Sequence, residues 1–151
     1  MTPAQLMHEV FALPLSVGTI SHLEQATTAA LAAPVEEARA YVHAQAVAHL
    51  DETSWRQGDK PAWLWVAVTM WVTVFVVRLS RSGHVARELL GKTFTGILVT
   101  DRYSAYNWYP VRWRQLCWAH LLRDFEAMRD RGGRSKPFGD ALLAQAHQMF
   151  T

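Results

Sequence analysis

The chain has a single cysteine, Cys117, among 151 residues. That excludes a disulfide scaffold and any four-cysteine zinc site within it. Glycine and proline are scarce, at eight and six residues, which excludes a fibrous or linker-like polypeptide. Charged residues make up only 19% against 50% hydrophobic. A core can therefore be filled, and wholesale disorder is excluded. No Gly-rich phosphate loop, internal repeat or low-complexity segment is present. Residues 1–10 hold no basic start leading into an apolar stretch, so no signal peptide is expected and the protein reads as cytoplasmic. The longest apolar run, Ala62 to Val77, is interrupted only by Thr69 and Thr73. It falls short of the ~20 residues of a membrane span. Its Trp and Val content favours two buried strands with a turn near Thr69–Trp71.

What is present is unevenly distributed. The net charge is +2, yet residues 1–50 hold one basic residue, Arg39, against Glu9, Glu24, Glu36 and Glu37. Residues 102–136 carry Arg102, Arg112, Arg114, Arg123, Arg129, Arg131, Arg134 and Lys136 against three acids. Such clustering marks either a polyanion-binding surface or an ordinary solvated face. The first 45 residues read as helices. Ser16 caps one through about Ala30, and Pro34 opens another through about Gln45. The stretch Leu13 to Ile20 is the turn of a helix-turn-helix or of a plain helical hairpin; no Arg- or Lys-rich recognition helix follows it.

From Val47 the pattern changes. The expected order is a strand Val47–Leu50 ending at Asp51-Glu52, strands 62–69 and 72–79, and a helix from Ser82 closed by Gly91. A strand 96–100 ending at Asp101, a strand 114–117, a helix 119–129 broken by Gly132-Gly133, and a last helix 138–150 follow. Three successive strands imply antiparallel pairing and the helical crossover implies a parallel neighbour, so the sheet is mixed with helices against it.

Asp51 and Asp101 occupy matching strand ends. On neighbouring strands both carboxylates project from one end of the sheet, where open α/β folds place their sites. Two close carboxylates repel unless a cation sits between them, and a hard divalent ion is the usual solution. Strand-terminating Asp without any role is the competing reading. Glu52, pointing to the opposite face, is a spare ligand or a bystander. Cys117 and His120 form a Cys-x-x-His pair, but a closed zinc site needs four ligands. Their expected role is structural, with His120 satisfied by a backbone group and Cys117 a small buried residue. Tyr103, Tyr106, Trp108, Tyr109, Trp113 and Trp118 lie among Arg102, Arg112, Arg114 and Arg123, a mixture suited to stacking on bases and contacting phosphates. Trp113 and Trp118 are expected in core and interface packing, and Arg102 and Tyr103 at the site.

Four segments carry a resemblance: His49-Leu50-Asp51-Glu52-Thr53-Ser54-Trp55-Arg56, Trp63-Leu64-Trp65-Val66, Asp101-Arg102-Tyr103-Ser104-Ala105-Tyr106-Asn107, and Gln115 through Phe125 with Cys117 and His120. In this order and spacing they resemble the insertion sequence 66 family of bacterial transposases over essentially the whole chain. The resemblance implies a DDE-type enzyme with an RNase H-like α/β core, residues 46–151, preceded by a small helical lead-in, residues 1–45. It matches Asp51 and Asp101 to the first two catalytic, metal-binding aspartates. It implies Mg²⁺ or Mn²⁺ as cofactor and phosphoryl transfer on DNA as the chemistry. Transposon ends and target DNA would be the partners, contacted by Arg102, Tyr103, Arg112, Arg114 and Arg123, with self-association or accessory transposition proteins beside them and a nucleoid-associated location. The Cys117/His120 element resembles a signature between the second Asp and the final Glu of several such groups, with an organising role. Ser54 departs from the glycine expected after Asp-Glu-Thr. Glu126 and Asp140 come too early to match the third acid. The expectation is therefore a partial copy, binding metal weakly and giving little strand transfer alone. The competing reading is a non-catalytic remnant that binds DNA or pairs with a complete transposase.

Overall fold

The computed structural model describes residues 2–150. The chain divides into two compact units, residues 1–40 and 41–151. In the first, α1 (Pro3–Phe11) starts with a reciprocal cap: the Gln5 amide donates to Thr2 Oγ1 and the Thr2 amide to Gln5 Oε1. Ala12 ends it at φ 54°, in the left-handed region. Ser16 caps α2, accepting from the Thr19 amide at 3.0 Å. The two helices expected over 16–45 are one, α2 (Val17–His43), with Pro34 inside. Alanine-rich sequence on both sides carries the helix past the missing N–H, because alanine has the highest helical preference. None of the described residues in 2–40 is buried.

The second unit is built on a five-stranded sheet in the order β3-β2-β1-β4-β5. Its strands are β1 (Val47–Gln57), β2 (Lys60–Val68), β3 (Thr73–Arg78), β4 (Ile97–Thr100) and β5 (Arg114–Leu116). β1–β2 and β2–β3 are antiparallel, and β1–β4 and β4–β5 are parallel. The mixed α/β sheet with flanking helices expected from the sequence is thus present, in the arrangement of an RNase H-like fold. β1 does not end at Asp51: it continues to Gln57, paired with β2 from His49↔Val68 to Gln57↔Lys60. A two-residue turn closes this hairpin, with Gly58 at φ +61°. The apolar run 62–77 is the β2–β3 pair. Thr69 ties its turn through its amide and hydroxyl to the Val72 carbonyl, at 2.9 and 2.8 Å. Met70 and Trp71 at the tip are exposed. Among the described residues no helix is long and apolar enough to cross a membrane.

Alternation along β1 sorts the two sheet faces. Ala48 and Leu50 are buried on one, with Trp65 and Ala67 of β2 and Leu98 of β4. The helix α3 (Gly83–Leu90) adds Val85, Ala86, Leu89 and Leu90 to this core. Val47, His49 and Asp51 lie on the other face. The helices α4 (Trp118–Asp130) and α5 (Lys136–Met149) pack on each other. They cross where Gly139 is buried: a Cβ there would meet the Arg129 amide nitrogen at 2.5 Å. Trp113 is not in the core, being 46% exposed. It closes a short 3₁₀ turn, Val111–Trp113, whose neighbours face solvent. Tyr106 and Tyr109 are the aromatics of this segment that are buried.

Gly96 governs how β4 meets β1. A Cβ at this position would lie 2.5 Å from the Ala46 carbonyl oxygen and 2.6 Å from that of Gln45. Both are backbone atoms next to the bond from the Ile97 amide to Ala46 O. Gly96→Ala must push the two strands apart, an overpacking that costs about 1–3 kcal/mol. The thermal unfolding midpoint of the variant is expected to fall by several degrees in a circular dichroism melt; an unchanged midpoint would show that the β1–β4 contact is slack.

Candidate active site

The β1–β4 pairing aligns Val47 with Ile97 and His49 with Val99. Carried two residues further, the same register sets Asp51 level with Asp101. Asp51 is therefore not at a strand end, as expected, but in mid-strand; β4 ends beside it at Thr100. β1 runs on because β2 supplies partners as far as Gln57. Asp51 and Asp101 both line one open cleft of about 720 Å³, together with His49, Val99, Cys117 and His120.

Each carboxylate has one oxygen oriented by a main-chain amide. Asp51 Oδ1 accepts from the Glu52 amide and Asp101 Oδ1 from the Tyr103 amide, both at 2.9 Å. His120 Nε2 stands 3.9 Å from Asp51 Oδ2. The backbone partner expected for His120 is absent: its Nδ1 is buried without a hydrogen-bond partner among the described residues. The first turn of α4 aims the ring at the cleft instead, because Cys117 anchors that turn. The Cys117 amide donates to Thr100 O at 2.7 Å, and Cys117 O accepts from the His120 and Leu121 amides. Cys117 itself is half-buried.

The turn after Asp101 is pinned by Arg114. This guanidinium donates to Thr100 Oγ1, Asn107 Oδ1 and the Asp101 carbonyl at 3.0, 2.9 and 2.8 Å. The Thr100 hydroxyl donates to the same carbonyl at 2.8 Å. Arg102 is ion-paired with Asp124. Arg112 and Arg123 are exposed, without an ion pair to a described residue. Tyr103 is half-buried, its ring against the Arg81 guanidinium, 4.1 Å from centroid to Cζ.

The residue that the sequence reading leaves aside is Glu52. Its side chain is 1% exposed. It accepts from the Tyr106 hydroxyl and from Arg81 Nε, the latter at 2.9 Å. Burial raises its carboxyl above the ordinary range, against the opposing pull of Tyr106 and Arg81. Burial and the adjacent Glu52 likewise raise the Tyr106 hydroxyl well above that of a free tyrosine. The signal was in the alternation: position 52 shares a face with Ala48 and Leu50, and a carboxylate placed there needs partners.

The sequence matches the family described as transposase IS66 family over residues 4–151. The chain belongs to the IS66 transposase family. No curated protein and no solved structure gives a match. An IS66 transposase acts on DNA, and DDE transposases in general use divalent metal. The donor set of the cleft suits such an ion. Mg²⁺ is commonly held by one or two carboxylates, with water and substrate oxygens completing its shell. Two level carboxylates, each with one oxygen already oriented, meet that requirement. The described residues contain no cluster of three or more His, Cys, Asp or Glu side chains able to cage a metal.

Proposed function

We propose that residues 46–151 form the catalytic core of this IS66 transposase, with Asp51 and Asp101 as its metal-holding carboxylates. The level register of the two aspartates in one cleft carries this reading. Both would hold Mg²⁺ or Mn²⁺. A bound divalent ion supplies charge that stabilises the phosphoryl-transfer transition state and makes the attacking water or hydroxyl more acidic. The chain's own part is positioning. The Glu52 and Tyr103 amides orient the two carboxylates, and Arg114 and Thr100 hold the backbone of Asp101. Arg112 and Arg123 extend the positive surface and would contact DNA phosphates without reading sequence. Arg102 would exchange Asp124 for a phosphate, and Tyr103 borders the same track. With two protein carboxylates and no caged site, metal binding by this chain alone is weak and strand transfer is slight. The same observation favours a second reading, a non-catalytic DNA-binding chain that works in association with a transposase.

Binding of labelled duplex DNA, followed over a salt series with and without Mg²⁺, tests both. Affinity should fall steeply with salt, and Mg²⁺ should produce weak nicking under the first reading only. DNA affinity that is absent at low salt would sink both. Arg112→Ala and Arg123→Ala should each lower the slope of log affinity against log salt by ~1. Arg114→Ala should leave that slope unchanged and lower the melting temperature instead, since each of its three guanidinium nitrogens already donates inside the protein. A slope change for Arg114→Ala equal to that of Arg112→Ala would contradict this division.

A further inference from the structure

Glu52 lies next to Asp51 on β1 but faces the opposite side of the sheet, where an apolar residue would be cheaper to bury. A buried ion pair is seldom retained for stability alone, since apolar replacements are often as stable or more so. Its contacts lead elsewhere. Arg81, in the connection from β3 to α3, donates to Glu52. The Arg81 guanidinium also lies over the Trp63 and Tyr103 rings, at 4.4 and 4.1 Å. The Tyr103 hydroxyl donates to the Arg81 carbonyl at 3.3 Å. The Tyr103 amide in turn holds Asp101 Oδ1. Tyr106, two residues after Ser104 in the same turn, returns to Glu52 through its hydroxyl. The contacts form a chain from Glu52 to Arg81, from Arg81 to Tyr103 and from Tyr103 to Asp101, and Tyr106 ties Glu52 back to the Tyr103 ring, which it meets edge-on at 6.3 Å. One end of the chain is the neighbour of Asp51 and the other is Asp101.

We propose that Glu52 and Arg81, acting through Tyr103, are positioning residues that fix the Asp101 carboxylate relative to Asp51. The proposal rests on the reading of Asp51 and Asp101 as a metal-holding pair. It adds that this geometry is set by Glu52, buried on the opposite face of the sheet, through the half-exposed Arg81 that it holds. Arg81→Met alone would strand the buried Glu52 charge and endanger folding. The paired variant Glu52→Gln/Arg81→Met avoids this: glutamine keeps an acceptor for Tyr106, and methionine keeps a stem between the rings.

The test uses the full 151-residue chain and Mn²⁺ alone, with affinity read from the loss of the free-ion electron paramagnetic resonance signal and folding from the thermal midpoint. Wild type should bind Mn²⁺ and Asp101→Asn should not. The paired variant should melt within a few degrees of wild type yet bind Mn²⁺ about 10- to 100-fold more weakly, the usual cost of losing groups that orient a ligand. Tyr103→Phe, which removes one hydroxyl and keeps the ring, should weaken Mn²⁺ about 3- to 10-fold, one hydrogen bond's worth. It decides the matter should the paired variant fail to fold. Unchanged Mn²⁺ affinity in either folded variant, with wild type binding through Asp101, overturns the positioning role alone. A wild-type chain whose Mn²⁺ binding does not depend on Asp51 and Asp101 overturns the metal-pair reading and this proposal with it.

Discussion

Replacing Asp101 by asparagine should remove Mn²⁺ binding and all metal-dependent DNA cleavage while leaving the fold in place. The amide is nearly the same size as the carboxylate, and its oxygen can still accept from the Tyr103 amide, as Asp101 Oδ1 does at 2.9 Å. The Asp101 carbonyl keeps its bonds from Arg114 and Thr100, which do not involve the side chain. What disappears is one of two negative charges facing the cleft. Loss of a merely orienting group costs about 10- to 100-fold in metal affinity, and loss of the ligand itself should cost more. Asp51→Asn should behave alike, because its Oδ1 also accepts from a main-chain amide. Metal-free DNA affinity should hold or rise in both variants, since each removes a negative charge near the phosphate track. Calorimetric Mn²⁺ titration beside a metal-free DNA titration checks both halves. Asparagine variants that bind Mn²⁺ like wild type would move the site elsewhere.

Trp65→Ala should bring the largest loss of stability. Trp65 is fully buried on β2, opposite Glu52 on β1. Its indole N–H donates to Ser80 O at 3.1 Å, and its ring meets Tyr106 edge-on at 6.3 Å. Truncating a buried aromatic to alanine costs about 3–5 kcal/mol. Domains of this size have about 5–15 kcal/mol in all, so the variant should melt far below wild type or fail to accumulate as a folded protein. Trp65→Phe keeps most of the packing and loses the hydrogen bond to Ser80. It should cost about 1–3 kcal/mol, from the lost hydrogen bond and the space left by the smaller ring. Urea unfolding of the three proteins orders them, and a Trp65→Ala loss below about 1 kcal/mol would mean that Trp65 is not central to the core.

The sheet was largely legible because its strands obey period-two patterning and its turns carry ordinary signals. Gly91 follows α3, and Gly58-Asp59 closes the first hairpin. The strand orientations followed from the order of elements. Two features were hidden. Pro34 reads as a helix start, but its alanine-rich flanks override that local signal in a single 27-residue helix. The length of β1 was masked because Asp51-Glu52 looks like a strand terminus, whereas cross-strand pairing decides where a strand stops. At the site, the level aspartates could be anticipated from matched positions. The Glu52–Arg81–Tyr106 contacts could not, since they join residues as much as 54 positions apart. Trp113 misled for a related reason: a tryptophan among aromatics looks like core, but its 3₁₀ turn faces outward.

The parallel contact of β1 with β4 has a kinetic consequence. The β1–β2 and β2–β3 pairs join neighbours along the chain and can form early, the first across a two-residue turn. The two aspartates meet only when β4 docks beside β1, closing a loop between residues 50 positions apart, Asp51 and Asp101. The length-dependent part of that closure costs about 3.5 kcal/mol of chain entropy, from (3/2)RT ln n. Non-local parallel pairing of this kind is among the slow steps in forming a sheet. The cleft should therefore assemble late, on a hairpin already in place. An incompletely folded chain would then display its basic segment to DNA before it possessed a pair of acids to act with.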